Sequence, residues 1–534
     1  MVKDRFGYSC FLFLYSEKFL KKNCASISMH QKFIIGVDIG TTNCKGVIID
    51  TEGSVRAEAQ IEHNVIYPQV GWAEHNPEEN WWKTFVLVIK KLVSQGKVPS
   101  QKLAAIGVTG LGPNLIPIGK NGKPLRNAIL YSDTRSVKEI HYLKENYGKE
   151  IFELSGNQVT TQTVAPKILW FRNNERENFK ETEKILFGSY NYIVYRLTKN
   201  FAIDYGTAKW TGLFDGKKLT WDQKICEGLG IPLELLPQTC YATDIVGTVS
   251  NDTAQEIGIP PGTPVIAGAL DSATETLSAG VMEPGEAIII YGTTTILKVV
   301  IQDFLKDPRL HSDIHCIKPL KYFLGGAMTT TGATVRWFRD NLYKEEKQTC
   351  KTAYQILDEE ASKIPFSGLI VLPYFMGERT PIFDPLARGV IFGLTLSHTR
   401  SHIYKAILEA TGYAVAQHIE ILRENGINVT KLIAAGGGAK STIWRQIVSD
   451  ITNVEQEYCD TLGAPFGVAF LAGYGVGLFD DFQKIKEWIK VKEKNIPNIE
   501  RHNKYNKYYN LYKNLYNVLK GSFKELYLCN QETS

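Results

Sequence analysis

The sequence predicts an α/β protein of two related domains that face each other across a cleft. Two observations carry that expectation. The first is a repeated unit. Residues 33–50, FIIGVDIGTTNCKGVIID, and residues 286–300, EAIIIYGTTTILKVV, each run an apolar, β-branched strand into a small Gly-Thr turn and return as a second apolar strand, the pattern of a β-hairpin. Two such units half a chain apart point to two related halves. The second is size: 534 residues, 44% hydrophobic and 22% charged, suffice for two or more cores of ordinary globular composition.

The turn residues suggest what the hairpins do. In the first, Gly40 lets backbone approach a ligand closely. Thr41 and Thr42 offer donors to phosphate oxygens and Lys45 adds positive charge. Asp38, at the strand end, is suited to holding Mg²⁺ through water, because Mg²⁺ keeps much of its hydration shell. Taken alone, the stretch also fits a tight turn whose polar residues satisfy turn N–H groups. The second copy, with Gly292, Thr293 and Thr294, changes the balance, since paired phosphate-type turns suit one shared nucleotide. The pair resembles the actin-like, ribonuclease-H-like ATPase fold. More specifically, residues 33–482 are similar to FGGY carbohydrate kinases, above all to the xylulokinase-like members. That resemblance implies ATP and Mg²⁺ as cofactors and a small-molecule sugar as substrate. The expected layout is a leader over residues 1–30, a sugar-side domain over 31–275, an ATP-side domain over 276–482 and a helical tail over 483–534.

Charge and cysteine usage narrow the partners. The formal net charge is +5, but the leader carries Lys3, Arg5, Lys18, Lys21 and Lys22 against Asp4 and Glu17, so the remainder is nearly balanced. No basic footprint for nucleic acid is left. The leader's FLFLY run is too short for a signal-peptide core and meets Glu17 and Lys18 at once. It reads as a poorly ordered segment or a mis-assigned start, with Met29 as the other initiator. No later stretch is long and apolar enough for a membrane helix. Nine cysteines without CxxC spacing suggest neither zinc nor a disulfide framework, and fit reduced thiols in a cytoplasm. Cys44 is expected to pack. A homodimer is one assembly open to such a protein.

Further along, Asn76, Pro77 and Glu79 read as an N-cap, first-turn proline and capping box before a helix through Trp82, Phe85, Ile89 and Leu92 to Gly96. His75 and Trp81, within the family-like GWAEHNPEENWW, fit either sugar contacts or core and cap roles. A strand over residues 103–108 leads to Gly112-Pro113. Xylulokinases carry a Met-His pair on the sugar at this turn and glycerol kinases an Arg-Glu pair, so the side chains that would name the substrate are absent. Residues 128–135, AILYSDTR, are similar to the family's AILWxDxR. Asp133 can accept from sugar hydroxyls and Arg135 can donate to them or orient Asp133, with a structural ion pair as the alternative. Lys167 and Trp170 should pack. DYGTAKWTGLFD, similar to DYSxASxTxLFD, places Tyr205, Thr207 and Thr211 either on the sugar cleft or in loop-stabilising bonds.

The chemistry is expected at Asp271. An apolar strand over residues 264–267 delivers this carboxylate, and the resemblance makes it the catalytic base as well as a sugar ligand. Phosphoryl transfer depends mostly on positioning and charge neutralisation, so an aspartate that accepts the hydroxyl proton suffices. A helix N-cap is the competing role. In the second half, GGAMTTTGATVRWFRD brings Gly332 to the phosphates by resemblance. PYFMGERTPIFDPLARGVIFGL is the most family-specific stretch; there Glu378 and Arg379 should brace the cleft between domains and Arg388 should pair with a charge. A long helix over residues 401–423 follows. A strand over residues 431–434, the turn Gly436-Gly437-Gly438 and a helix after Ser441 form a shape suited to adenosine, with Gly436, Gly437 and Ser441 as contacts. Residues 463–475 read as close helix packing. Residues 505–526 read as a docking helix presenting Tyr508, Tyr512, Leu515 and Leu519. The resulting expectation is ATP-dependent phosphorylation of a sugar, xylulose first. Ribulose, gluconate or a polyol kinase competes with it; a non-metabolic actin-like ATPase or a catalytically dead sensor fits less well.

Overall fold

The computed structural model describes residues 32–343, 351–459 and 463–532. The leader and Met29 lie outside the described residues. Two seven-stranded sheets dominate the chain. The first contains β1 (Phe33–Ile39), β2 (Asn43–Asp50), β3 (Val55–Glu62), β4 (Leu103–Gly110), β5 (Ile245–Thr248), β6 (Pro264–Ile266) and β7 (Ala269–Leu270), in the order β5-β6-β4-β1-β2-β3 with β7 also on β4. The second contains β8 (Glu286–Tyr291), β9 (Thr295–Ile301), β10 (His311–Ile314), β11 (Tyr322–Met328), β12 (Lys431–Ala435), β13 (Gln456–Cys459) and β14 (Val491–Asn495), in the order β10-β11-β9-β8-β12-β13-β14.

The sheets repeat one wiring. Strands β3, β2 and β1 are antiparallel, β4 and β6 continue parallel, and β5 closes the edge antiparallel. In the second sheet β11, β9 and β8 are antiparallel, β12 and β13 run parallel, and β14 closes antiparallel. Both Gly-Thr turns are therefore hairpin turns at the same place in equivalent sheets. Strand β1 is buried almost throughout because both of its faces are covered, as continuous apolar strands of this kind require.

One cover of the first sheet comes from α1 (Lys83–Gly96), which buries Phe85, Val88, Ile89 and Leu92. The turn before it is π-wound over Pro77–Trp82. Asn76 accepts from the Glu78 and Glu79 amides at 3.0 and 3.1 Å. The return bond to the Asn76 amide comes from Asn80 at 2.7 Å, not from Glu79, which pairs with Lys83. The wider turn brings position 80 back under the cap, so the capping box expected from Glu79 does not form.

The other cover comes from the far end of the chain. The apolar, small-residue helix α6 (Gly463–Gly475) packs on β1, β4 and α2 (Asp271–Ser278). Residues that lie between β13 and β14 of the second sheet in sequence thus complete the core of the first. The approach is close: a Cβ on Gly36 would lie 1.9 Å from the Pro465 carbonyl oxygen, and one on Gly467 2.0 Å from that of Thr274. Gly36→Ala should therefore lower stability by about 1–3 kcal/mol, the usual cost of overpacking, seen as a lower urea midpoint with an unchanged slope.

In the second domain α3 (Thr331–Leu342), α4 (Arg400–Glu424) and α5 (Thr442–Thr452) pack around the sheet. The tail helix α7 (Ile499–Glu532) docks there too. Its buried face is Tyr505, Tyr509, Tyr512, Tyr516 and Phe523. Of the residues expected to dock, Tyr512 is buried, whereas Tyr508, Leu515 and Leu519 only flank the core. Hydroxyl partners turn the helix this way: Tyr505 donates to Glu409 at 3.0 Å and Tyr512 meets the Tyr374 hydroxyl at 2.8 Å.

Candidate active site

Asp38 and Asp271 are brought together by strand register. Asp38 on β1 lies opposite Thr109 on β4, and Thr109 lies opposite Ala269 on β7. Two residues after Ala269 the chain turns into α2, whose first residue is Asp271. The Thr109 hydroxyl fixes this junction, donating to the Ala269 carbonyl at 2.7 Å and meeting the Thr274 hydroxyl at 2.9 Å. Asp38 and Asp271 then share a cavity of about 510 Å³ with Lys45 and Glu275. Lys45 faces Asp38 across the hairpin.

Three carboxylates, those of Asp38, Asp271 and Glu275, line this one cavity. Burial, then the neighbouring Asp271 charge, holds the Asp38 pKa well above the usual carboxylate range against the pull of Lys45. Burial raises Asp271 to about 6, opposed by the Ser272 amide and Lys298. Glu275 is raised too, by burial and then by Asp271. Such shifts are typical of groups positioned for proton transfer. Asp271 does not cap α2: Leu270 is the N-cap residue, and the one amide that donates to the Asp271 carboxylate is Ser272, at 2.6 Å. The expected N-cap role therefore falls away, leaving a carboxylate turned into the cavity.

A second cavity, about 680 Å³, gathers the second-domain glycine turns. It is lined by Gly292, Thr293, Gly332, Gly437 and Ser441, with Tyr354, Tyr404 and Trp444 around them. Ser441 also accepts from the Trp444 amide at 3.2 Å, capping α5. Gly436 is set back from the lining; its φ of +87° and a would-be Cβ 2.8 Å from the Tyr291 carbonyl oxygen require glycine. Thr294 faces away as well, donating to the Thr329 carbonyl at 3.1 Å. Gly332 packs on the hairpin turn itself, where a Cβ would lie 2.0 Å from the Gly292 carbonyl oxygen.

The third cavity, about 140 Å³, lies between the domains, lined by Gly112, Pro113, Leu270 and Ser272 on one side and by Ile296, Lys298, Asp313 and Arg379 on the other. Lys298, Asp313 and Glu275 were not singled out from the sequence. A signal existed for Lys298, the one charge in the apolar strand TILKVVI.

Several expected sugar contacts stand elsewhere. Asp133 and Arg135 form a buried ion-pair cluster. Asp133 accepts from the Ala73 amide and from two nitrogens of Arg135, and Arg135 also reaches Glu74 at 2.7 Å while lying 3.7 Å over the Trp72 ring. Both carboxylate oxygens are engaged by the protein, so the geometry is that of the structural alternative. His75 accepts from the Trp81 indole at 2.8 Å inside the core. Lys167 is buried and donates to the Thr161 carbonyl. The Thr207 hydroxyl meets the Tyr190 hydroxyl while its amide donates to Asp204, Thr211 bonds within its own loop, and Tyr205 packs on Phe214 and Tyr241. Glu378 braces within the second domain, accepting from Thr329 at 2.7 Å, and not across the cleft. Arg388 donates to the Pro385 and Ala387 carbonyls in place of the expected charge partner. At the first hairpin, Gly40 closes the turn by donating to the Asn43 carbonyl at 2.9 Å, with Thr41 and Thr42 at its tip.

Two equivalent sheets, each with a Gly-Thr hairpin turn, a half-buried aspartate pair on one cavity and a glycine-walled cavity define a phosphotransferase of the actin-like, ribonuclease-H-like ATPase class. Family models agree: the N-terminal domain of FGGY carbohydrate kinases matches residues 33–278 and their C-terminal domain residues 287–476. The chain belongs to the FGGY family of carbohydrate kinases and is a sugar kinase with an alcohol group as acceptor. It is 30% identical to a xylulose kinase of Bacillus subtilis (strain 168), over 91% of this chain and 97% of that one. It is also 30% identical to a gluconokinase of the same strain, over 87% and 92%. The crystal structure of xylulose kinase from Rhodospirillum rubrum superposes with a TM-score of 0.86 at 30% identity, covering 92% of this chain and all of that one.

Proposed function

We propose that this enzyme transfers the γ-phosphoryl group of ATP to a hydroxyl of a ketopentose, xylulose first, with Asp271 as the base. The observation that carries the mechanism is the convergence of Asp38 and Asp271 on one cavity, with Leu270 and Ser272, on either side of Asp271, lining the interdomain pocket. The relatives with xylulose kinase names favour xylulose; gluconate is the second reading, on the gluconokinase likeness. A coupled assay of ADP release with xylulose, ribulose, gluconate and polyols decides between them, and selectivity for gluconate would displace the ketopentose.

The chain's own residues account for most of the step. The sugar hydroxyl gives its proton to the Asp271 carboxylate as its oxygen forms the bond to the γ-phosphorus. The bond from that phosphorus to the β-phosphate oxygen breaks, and ADP leaves. The Ser272 amide holds the Asp271 carboxylate by one oxygen, 2.6 Å away. Gly292, Thr293 and Gly332 would cradle the phosphates from one domain and Gly40, Thr41, Thr42 and Lys45 from the other, with Gly437 and Ser441 at the adenosine. Mg²⁺ fits at Asp38 through water: the Asp38 Oδ1 atom is buried without a hydrogen-bond partner among the described residues. Among the described residues no group of three or more His, Cys, Asp or Glu side chains could ligate a metal directly. When bound, the ion would neutralise phosphate charge.

Gly332→Ala should raise KM for ATP about tenfold with the sugar KM unchanged, since overpacking against the hairpin turn costs about 1–3 kcal/mol and ~1.4 kcal/mol is tenfold in affinity. Saturation curves for each substrate check this. The cytoplasmic location and the homodimer belong to this proposal. Cys44, Cys226, Cys240 and Cys316 are free thiols, as a reducing compartment allows. Among the described residues no helix is long and apolar enough to cross a membrane. Sedimentation of the purified enzyme reads the oligomer directly.

A further inference from the structure

Gly112-Pro113 puts no polar side chain on the sugar-facing turn, yet a sugar site needs convergent hydrogen-bonding groups among apolar walls. The opposite wall has them. Ile296 and Lys298, two residues apart on β9 and so on one face of the strand, both line the interdomain cavity. The Lys298 ammonium reaches Asp313 on β10 at 3.2 Å and, across the cleft, the Ser272 hydroxyl beside Asp271 at 3.1 Å. The side chains of Lys298 and Asp313 are 14% and 7% exposed, and both line the cavity.

The pair has hydrogen-bonding capacity to spare. An ammonium carries three protons, and two are directed at Ser272 and Asp313. A carboxylate has about four acceptor positions, and Asp313 uses two, for Lys298 and the Ile314 amide. Lys209 lies buried nearby with no acceptor for its Nζ among the described residues. Burial lowers its pKa to about 7, partly offset by Asp313. Of the remaining walls, Pro113, Trp210, Leu270, Ile296 and Phe323 offer rings and alkyl groups to a carbon chain, and Gln162, His311 and Arg379 add polar groups.

We propose that Lys298 and Asp313 are specificity-determining residues that bind neighbouring hydroxyls at the far end of a neutral polyhydroxyl substrate, Lys298 donating and Asp313 accepting. The inference rests on the sugar-kinase reading of this cleft. It moves the recognition of the substrate to the second domain, where the turn at Gly112-Pro113 has given it up. A neutral ligand suits the pair itself, because Asp313 balances the Lys298 charge, while Arg379 on the same wall is the group that a carboxylate would meet.

The test compares wild type, Lys298→Met and Asp313→Asn on glycerol, xylulose, ribulose and gluconate. Turnover is followed by ADP release; where it is too slow, binding is read as the shift in melting temperature the compound produces. A hydrogen bond to a charged group is worth enough that each variant should lose about 10–100-fold in kcat/KM, mostly through KM, on the five-carbon substrates. Glycerol, with three carbons and fewer hydroxyls to offer the pair, should lose less than the five-carbon substrates, and KM for ATP should hold. Equal losses on glycerol and ketopentose, or no loss on either, would overturn the assignment. So would a preference for gluconate that disappears in Lys298→Met and survives in Asp313→Asn, which would mark a carboxylate subsite. A wild type that ignores ketopentoses refutes the xylulose reading alone; the pair is then judged by the loss on the accepted longer substrate relative to glycerol. If a single variant fails to fold, the double variant Lys298→Met with Asp313→Leu keeps the comparison, since replacing both partners of a buried pair by apolar groups is commonly tolerated.

Discussion

Asp271→Asn should fold, bind ATP and bind the sugar, while sugar-dependent ADP formation falls by about 10²–10⁴, the usual contribution of a positioned general base. Asparagine keeps the size and can still accept from the Ser272 amide, but it cannot take the hydroxyl proton. Stability should move the other way. The folded-state pKa of Asp271 is about 6, above its unfolded value, so the folded state holds this proton more tightly. Its ionisation therefore costs stability progressively as pH rises from about 4 to about 6, and the cost persists above that range. The variant escapes that cost and should melt no lower than wild type at pH 7. For wild type, kcat/KM should fall as pH drops through about 6, and not only near 4. A folded variant with near-normal turnover would remove Asp271 as the base.

Asp38→Ala is expected to be nearly as damaging, for a different reason. The side chain lies at the turn of the first hairpin, raised in pKa by burial and by Asp271, with one oxygen unpartnered. A residue that orients a cation on transferring phosphates contributes several kcal/mol of transition-state stabilisation, or roughly two orders of magnitude or more in rate. Turnover should fall by that much and the Mg²⁺ concentration needed for half-maximal rate should rise, with sugar affinity little changed. A loss confined to folding, with the Mg²⁺ requirement unaltered, would return Asp38 to an ordinary turn role.

The expectations that held share a physical basis. The hairpins at residues 33–50 and 286–300 were legible because apolar β-branched runs and glycine turns specify strand and turn locally. Gly292, Thr293, Gly332, Gly437 and Ser441, scattered through the second half of the chain, do line one cavity. The misplaced ones share a basis too. Asp133 and Arg135 have the residue types of a sugar site, but residue type does not reveal whether a carboxylate is already satisfied, and here Ala73, Arg135 and their neighbours use both oxygens. Lys298 was passed over because a lone lysine in a strand points to nothing until its partner is known, and Asp313 arrives from another strand.

By itself the sequence determined the duplicated hairpin architecture and the family, since each depends on short-range pattern or on a motif kept contiguous in the chain. Only the tertiary structure decided which sheet the apolar helix Gly463–Gly475 covers, which face of the tail helix is buried, and which polar side chains are spent on the protein itself. Those outcomes depend on contacts that no local pattern specifies, between Gly36 and Pro465 from opposite ends of the chain and between Ser272 and Lys298 across the cleft. Hydrophobicity says that such groups must be covered or paired; the partner is chosen by packing and hydrogen-bond geometry.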